Sequence, residues 1–352
     1  MILLREIQER DISALEQFAQ IPGFINLPND RDLLLQMIRR SHSSFSDTIE
    51  NKSEAKYIFA AEDIESGHVI GTSMIAAQHG TPESPHFYFE IGTEEKFSHT
   101  INTGFIHGTL KLKFDSNGPS EIGGLVLSPD YRNSDAKLGR QIAFVRFLFL
   151  GLNRSRFKKK VLAELLPPLN KKGQSPLWEA VGRRFTNMDY WEADQLCQRN
   201  KEFIFSLFPS GKVYTTFLPA EARNAVGKVG KQTEPVYHML TKLGFKYKNQ
   251  VDPFDGGPHL WANVDELLPL KRMKQGSLQA WNQDVSSPVF DAGLLTPAQA
   301  EKGKFRAVAV QAAIQEERGA VRILLQDESK VSAVCSALGI TAGSPVHFMP
   351  YY

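Results

Sequence analysis

The amino-acid sequence predicts a mixed α/β fold, in which helices flank a sheet and a small β-rich module follows. Strand and helix patterns alternate through residues 1–265, which is typical of α/β or α+β architecture. Apolar residues make up 42% of the 352 residues, and 23 are phenylalanines, so the chain has enough apolar side chains for an extensive core. We predict a main region over 1–265 and a C-terminal module over 266–352. Within the main region, residues 200–265 are either a second half-unit or a chance similarity.

The N-terminal part of the chain contains helix signals followed by strand signals. An opening strand leads to a helix for which Asp11 is the expected N-cap, and a second helix is predicted over 30–41. Runs of apolar and alternating residues then predict strands at 57–61, 69–77 and 84–92.

The alternation continues through the second half. Ser175 and Pro176 are a capping residue and a favoured first helical residue, so a helix is expected to begin there. The remaining predicted segments are strands at 161–166, 188–190, 305–313 and 321–325, and a loop at 271–284.

Composition and charge exclude several classes of function. The formal charge is +2, so no strongly basic face for nucleic acid is expected. Cys197 and Cys335 lie far apart and have no metal-ligand spacing, which predicts free thiols and no metal site. The longest apolar run, 144–152, contains Arg146 and is too short to span a bilayer, and the N-terminus lacks the apolar core of a signal peptide. We therefore expect a soluble, cytoplasmic protein without a membrane partner.

The segment 121–146 carries the strongest local signal for a binding site. A short strand at 125–127 is followed by a turn with Arg132, a polar loop ending at Gly139, and a helix. Such a unit directs backbone N–H groups and the positive end of a helix at one place, where phosphate groups bind. Gly139 permits close backbone approach, and Arg140 adds positive charge. The alternative is an ordinary exposed turn.

Several segments, in constant order and at nearly constant spacing, together resemble one family. They are NLPND from Asn26, EIGGLVLSPDYR, GQSPLWEAVGRRFTNMDYWEADQLC from Gly173, VYTTFLPAEARNAVGKV, LGFKYKNQVDPFDGGP, FRAVAV and ALGITAGSPVHFMP. The resemblance is to the bacterial arginine N-succinyltransferases, whose subunits act on arginine and ornithine and which belong to the GNAT superfamily of acyl-CoA transferases. So many ordered matches are more specific than any single loop.

This resemblance implies a reaction and an acyl-CoA site. The reaction transfers a succinyl group from succinyl-CoA, a co-substrate rather than a bound cofactor, to the α-amino group of L-arginine. The main chain at Leu125 and Leu127 is implied to contact the acyl-CoA, with Arg132, Gly139 and Arg140 beside its phosphates. After Arg132 the loop is about two residues longer than the family pattern, in which two glycines, or Asn-Gly, follow closely.

A second departure concerns the proton donor. The family carries a histidine in a Val-His-Pro segment, and this chain has Gly230 at that position. His238, two helical turns further on, is a replacement candidate, although a lone histidine on a helix is more often packed or solvated. Loss of the donor leaves several alternatives open: a slower enzyme, an N-acyltransferase for another amine such as ornithine, or a catalytically inactive acyl-CoA-binding or regulatory subunit.

Acidic residues are the candidates for binding the guanidinium group of the acceptor, because carboxylates pair with it in planar, bidentate geometry. We select Glu121 at the strand entrance, Glu164 in an apolar strand, and Asp255 in DPFDGGP. A structural ion pair is the alternative for Glu164. Family members associate as homo- or hetero-oligomers, and we expect exposed aromatic side chains such as Phe87 and Tyr88 to suit such an interface.

Overall fold

The computed structural model describes residues 1–21, 27–132, 136–199, 202–281, 288–299, 301–317 and 319–352. The chain divides into two compact units. The first unit comprises Met1–Ala77, Ile122–Lys159 and Val264–Tyr352, and the second comprises Gln78–Glu121 and Lys160–Asn263. Residues 266–352, predicted as a separate module, therefore fall in the same unit as the N-terminal strands. No helix among the described residues is both long and apolar enough to cross a membrane.

The strands and helices follow the predicted alternation. The strands are β1 (Ile2–Glu6), β2 (Lys56–Asp63), β3 (Val69–Ala76), β4 (His86–Ser98), β5 (Thr103–Asp115), β6 (Ser120–Leu127), β7 (Lys160–Glu164), β8 (Lys212–Tyr214), β9 (Lys246–Val251), β10 (Pro258–Asn263), β11 (Lys274–Ala280), β12 (Asp291–Pro297), β13 (Arg306–Glu317), β14 (Ala320–Leu325) and β15 (Pro345–Pro350). The helices are α1 (Ile12–Ala19), α2 (Arg31–Phe45), α3 (Leu138–Leu152), α4 (Arg183–Thr186), α5 (Tyr190–Arg199), α6 (Glu202–Leu207), α7 (Ala220–Ala225), α8 (Glu234–Leu243), α9 (Leu268–Arg272) and α10 (Glu328–Leu338), with a π-helical segment at Trp178–Gly182.

The first unit combines an antiparallel sheet with a ring of strands. Its strand order is β12-β15-β11-β14-β13-β1-β2-β3-β6, and β12 also pairs with β13, so β11 to β15 close on themselves. Within this ring only β11 and β14 are parallel. Apolar side chains of α10, including Val331 and Leu338, share a buried core with Leu278 and Val308 of the ring. Strand β13 joins the ring to β1 through the antiparallel pair Leu3↔Val308.

Asp11 stands at the start of α1, as predicted, but its carboxylate does not cap that helix. Its two oxygens accept hydrogen bonds from Nη1 and Nη2 of Arg5 at 2.7 and 2.8 Å, and Oδ2 also accepts one from the Gln8 amide. Arg5 is buried on β1 and also donates from Nε to Glu62. The expected cap is therefore the partner of a buried arginine instead.

The second unit is built on an antiparallel sheet with the order β7-β10-β9-β4-β5-β8. The first two residues of β6 add to its β7 edge as a parallel pair, Ser120↔Val161 and Glu121↔Leu162. Its core surrounds Trp178 and includes Phe87, which is only 5% exposed. The expectation that Phe87 is exposed at an interface is therefore wrong, because alternation along β4 turns its ring inward.

Two segment predictions are also wrong. Residues 188–190 were expected to form a strand, but Asn187 ends α4 in a left-handed conformation and Asp189 Oδ1 accepts from the Glu192 amide at the start of α5. Residues 271–284 were expected to be a loop, but 274–280 form β11. This polar strand has partners on both sides, β14 and β15, and that pairing outweighs its weak β propensity. Ser175 is confirmed as a cap, since its Oγ accepts from the Trp178 amide.

Candidate functional site

The predicted acyl-CoA segment in the first unit contains an irregular strand. Gly124 lies in the middle of β6 with φ +55°, a left-handed conformation that interrupts a regular strand. A Cβ on Gly124 would lie 2.3 Å from Met74 Cε. The irregularity immediately precedes Leu125, so it changes the direction of the backbone groups expected to meet the acyl-CoA.

The end of this segment forms the start of α3, as predicted. Lys137 precedes the helix with φ +48° and makes no side-chain cap, and nothing lies within 4 Å of a Cβ placed on Gly139. Arg132 donates from Nε to the Leu127 carbonyl, and the guanidinium of Arg140 lies 4.8 Å from the centre of the Tyr352 ring. Residues 133–135, part of the lengthened loop, lie outside the described residues.

The second unit brings three histidines and two glutamates together. We call these five residues the histidine–glutamate cluster. His79 Nδ1 lies 2.8 Å from Glu121 Oε2, and its Nε2 lies 3.5 Å from Glu164 Oε1. The Nε2 atoms of His86 and His259 each lie 3.4 Å from that same Glu164 oxygen. Three imidazole rings thus converge on one carboxylate oxygen.

Strand register explains how distant residues meet in the cluster. Glu164 is the last residue of β7, and the antiparallel pairing of β10 with β7 sets His259 directly opposite it. His86 is the first residue of β4. His79 lies in the loop after β3, where its amide donates to the Pro119 carbonyl at 2.6 Å. Strand pairing and loop hydrogen bonds therefore bring these residues of the cluster together from distant parts of the sequence.

Burial and mutual charge determine the protonation of the cluster. His86 and His259 are at most 1% exposed, whereas His79, Glu121 and Glu164 retain partial access to solvent. Burial lowers the pKa of His259 to about 4, so its ring is neutral at pH 7. Burial alone would raise the pKa of Glu164, but the adjacent His259, His86 and His79 lower it well below its ordinary range. Glu164 is therefore an anion at neutral pH.

A second acidic pair lies beside the cluster. Asp255 is 7% exposed, and its Oδ1 accepts from the Gly257 amide at 2.7 Å. Burial, followed by the nearby charge of Asp252, raises the pKa of Asp255 well above its ordinary range. Oxygen and nitrogen ligand atoms of Asp252, Glu164 and His259 lie within 4.8 Å of one another. The structure thus brings the three predicted acceptor residues, Glu121, Glu164 and Asp255, into one neighbourhood.

The position expected to hold the catalytic histidine lies at the same end of β7. The Gly230 amide donates to the Leu166 carbonyl, two residues after Glu164. A Cβ on Gly230 would lie 2.8 Å from the Pro167 carbonyl oxygen. His238 is exposed on α8 with its ring 5.6 Å from that of Tyr237. Its catalytic role stays a prediction.

The histidines of the cluster were missed in the sequence analysis. His79 and His86 are separated by six residues, which matches no familiar short ligand motif, and His259 lies about 170 residues further on. One signal was available: His259 follows the Asp-Gly-Gly-Pro segment that had already been chosen for Asp255. Pairing the strand after that turn, β10, with β7 would have set His259 beside Glu164.

Comparison with known proteins identifies the family. A model of the family described as arginine N-succinyltransferase beta subunit matches residues 2–268. The chain belongs to the arginine N-succinyltransferase family. Relatives named arginine N-succinyltransferase from Citrobacter koseri and from Escherichia coli strain K12 are each 35% identical over 277 residues, covering 78% of this chain and 79% of the relative. The resemblance inferred from sequence segments is confirmed.

A solved member of the family shares the fold. Subunit AI of the arginine/ornithine succinyltransferase from Pseudomonas aeruginosa matches with a TM-score of 0.82 and 26% identity, covering 100% of this chain and 99% of that chain. The predicted mixed α/β fold is confirmed. The longer loop after Arg132 and the replacement of the family histidine by Gly230 stay predictions from the sequence resemblance.

Proposed function

We propose that this member of the family is an arginine N-succinyltransferase, which transfers the succinyl group of succinyl-CoA to the α-amino group of L-arginine. The family match over residues 2–268 is the observation that carries the proposal. In this reaction the amine attacks the thioester carbonyl, the C–N bond forms and the C–S bond breaks. The α-ammonium group must first lose a proton, and CoA leaves as a thiolate, which needs less help from an acid than an amine does.

The acyl-CoA is assigned to β6 and the start of α3. The left-handed Gly124 before Leu125 supports this assignment, because an interrupted strand leaves backbone groups turned toward a ligand. The open surroundings of Gly139 at the first turn of α3 support phosphate binding, since helix N-termini favour anions. Leu127, Arg132 and Arg140 remain part of this proposed site.

The guanidinium group of the acceptor is assigned to Asp255 and Asp252. A carboxyl group whose pKa is raised by burial and by a neighbouring acid is stabilised as an anion when a cation binds. An arginine guanidinium supplies that cation with two parallel donors. Glu121 and Glu164, also predicted to bind the acceptor, lie against histidines that offer them a different partner.

His238 is proposed as the proton-transfer residue in place of the family histidine, which is absent at Gly230. Removal of general acid–base assistance typically costs about 100-fold or more in turnover. His238→Gln is therefore expected to lower kcat by that factor with little change in succinyl-CoA affinity. An unchanged kcat would remove His238 from the mechanism and leave water as the proton carrier.

An inactive acyl-CoA-binding subunit is the second candidate function, and Gly230 favours it, because the family histidine is absent there. Calorimetric titration with succinyl-CoA, followed by a thiol-release assay with L-arginine and mass analysis of the product, separates the candidates. N-succinyl-arginine formation supports the proposal. Binding without turnover identifies an inactive subunit, turnover with L-ornithine alone identifies another acceptor, and neither binding nor turnover contradicts both.

We also propose that the chain forms a homo- or hetero-oligomer through the hairpin of β4 and β5. The far half of this hairpin exposes apolar side chains, with Phe97 at 52%, Ile101 at 69%, Phe105 at 61% and Ile106 at 73% exposure. Contiguous exposed apolar side chains of this kind favour a protein interface. In this proposal Phe97 and Phe105, rather than the buried Phe87, are the aromatic residues of the interface.

A further inference from the structure

The arrangement of the histidine–glutamate cluster has the features of a metal site. One ligand atom from each of His79, His86 and Glu164 lies within 4.8 Å of the other two. Tetrahedral zinc with ligand distances of about 2.0–2.1 Å requires neighbouring ligand atoms about 3.3–3.4 Å apart. The three distances from Glu164 Oε1 to imidazole nitrogens are 3.4 to 3.5 Å, close to this spacing.

Glu121 is placed as an outer partner of such a site. Its carboxylate lies 2.8 Å from Nδ1 of His79, so that nitrogen carries the hydrogen and Nε2 keeps its lone pair facing Glu164. Metal-bound histidines commonly donate their second ring N–H to a carboxylate, which fixes the tautomer and the ring orientation. Glu121, His79 and the space between His79 Nε2 and Glu164 therefore follow the order carboxylate, histidine, metal.

His259 adds an independent observation. It is fully buried, and among the described residues neither of its ring nitrogens has a hydrogen-bond partner, although Nε2 lies only 3.4 Å from Glu164 Oε1. A buried polar nitrogen without a hydrogen bond is costly, and a cation bound to it would remove that cost. Neutral imidazole is also the form that binds metals.

We propose that His79, His86 and Glu164 bind a Zn²⁺ ion, with His259 as the fourth ligand and Glu121 orienting His79. The donor set of imidazoles and one carboxylate suits zinc or another first-row divalent transition metal rather than calcium or magnesium, which prefer oxygen ligands. The inference goes beyond succinyl transfer. It assigns Glu164 to the metal and Glu121 to His79, and it leaves Asp252 and Asp255 for the acceptor.

The site also has a position relevant to the family chemistry. Its carboxylate lies two residues before Leu166, whose carbonyl accepts from the amide of Gly230. A cation at the cluster would supply positive charge near the position where the family pattern has a histidine. Metal binding is measured directly, so the inference is tested separately from the transfer reaction.

The test uses the full chain after removal of metals with a chelator and dialysis. Calorimetric titration with ZnCl₂ is expected to show about one equivalent bound per chain, and CoCl₂ is expected to give the visible absorption of tetrahedral cobalt. His79→Gln and His86→Gln should each abolish binding or weaken it by at least about 100-fold, whereas Glu121→Gln should weaken it about 10–100-fold. His107→Gln, on β5 in the same unit, is the matched control and should bind like wild type.

Several outcomes would overturn the inference. Wild-type protein that binds no zinc contradicts it, and so does equal binding by wild type, His79→Gln and Glu121→Gln. Near-ultraviolet circular dichroism identifies any variant that fails to fold. The partly exposed His79 and Glu121 keep the test decisive if the buried His86 does not tolerate substitution. Loss of succinyl transfer with zinc binding intact would contradict the proposed function alone.

Discussion

Gly230 lies in a space that does not accept a side chain without movement of the backbone. A Cβ there would approach the Pro167 carbonyl oxygen to 2.8 Å and the Pro167 carbonyl carbon to 3.2 Å. Backbone atoms therefore lie close around the position where the resemblance predicts a histidine. A histidine side chain introduced at position 230 therefore has no pocket that accommodates it.

Gly230→His is therefore expected to lower stability, by about 1–3 kcal/mol from overpacking, without raising turnover. Gly230→Ala tests the steric part alone and should also lower the unfolding temperature. Gly211→Ala is the control, because nothing lies within 4 Å of a Cβ at that position. A faster Gly230→His enzyme of wild-type stability would contradict this account.

The buried Arg5 makes Asp11 a sensitive position. Removing one partner of a buried ion pair leaves an uncompensated charge and typically costs about 3–5 kcal/mol. We expect Asp11→Ala to lower the free energy of unfolding, measured in a urea titration, by up to that amount, because Glu62 still pairs with Arg5 Nε. Glu16→Ala, which breaks the solvent-exposed pair with Arg31, should cost about 0–1 kcal/mol. Equal losses in the two variants would show that burial of Arg5 has no energetic weight.

At the scale of the element, β6 combines regular and irregular backbone. Ile122 and Val126 are buried, as alternation along a strand requires, but Gly124 between them has φ +55°. Only glycine adopts this conformation without strain, and Met74 closes the space beside it. The irregularity at Gly124 interrupts regular strand geometry. Contact between the backbone of the adjacent Leu125 and the acyl-CoA would give this interruption a function.

Gly124→Ala is expected to destabilise the protein by about 1–3 kcal/mol and to weaken succinyl-CoA binding more than it changes the KM for arginine. The double variant Met74→Ala with Gly124→Ala removes the contact but not the φ strain, so it should recover only part of the stability. Thermal melts and calorimetric titration with succinyl-CoA measure both effects. Unchanged succinyl-CoA affinity in Gly124→Ala would show that Gly124 does not contribute to the acyl-CoA site.

The elements that sequence analysis predicts correctly are those with a strong local signal. Ser175 caps the predicted helix, and α3 begins at Leu138, one residue before Gly139, because both depend on residues a few positions apart. Strand β11 is polar and is stabilised by β14 and β15, which are distant in sequence. The histidine–glutamate cluster depends on register between β7 and β10 and was therefore beyond any local pattern.

At the scale of the whole molecule, the exposed face of the β4–β5 hairpin predicts assembly. Phe105→Glu with Ile106→Glu adds two charges to this face while leaving the buried Phe87 and Phe89 untouched. We expect scattering at micromolar concentration to give more than one chain mass for wild type and a lower mass for the double variant. The control Lys111→Glu changes charge on the same strand without removing apolar surface. A wild-type mass equal to one chain contradicts this prediction.

The pairing of β1 with β13 has a consequence for folding during synthesis. Leu3 finds its partner Val308 only after about 300 further residues have been synthesised, which takes roughly 15–60 s at typical translation rates. During that interval one edge of β1 has no native neighbour and is open to pairing with other chains. Residues of the second unit, which end at Asn263, emerge from the ribosome before β13 does. The N-terminal strand is thus a segment of the nascent chain that benefits from protection by chaperones, and slower translation beyond Asn263 should increase aggregation.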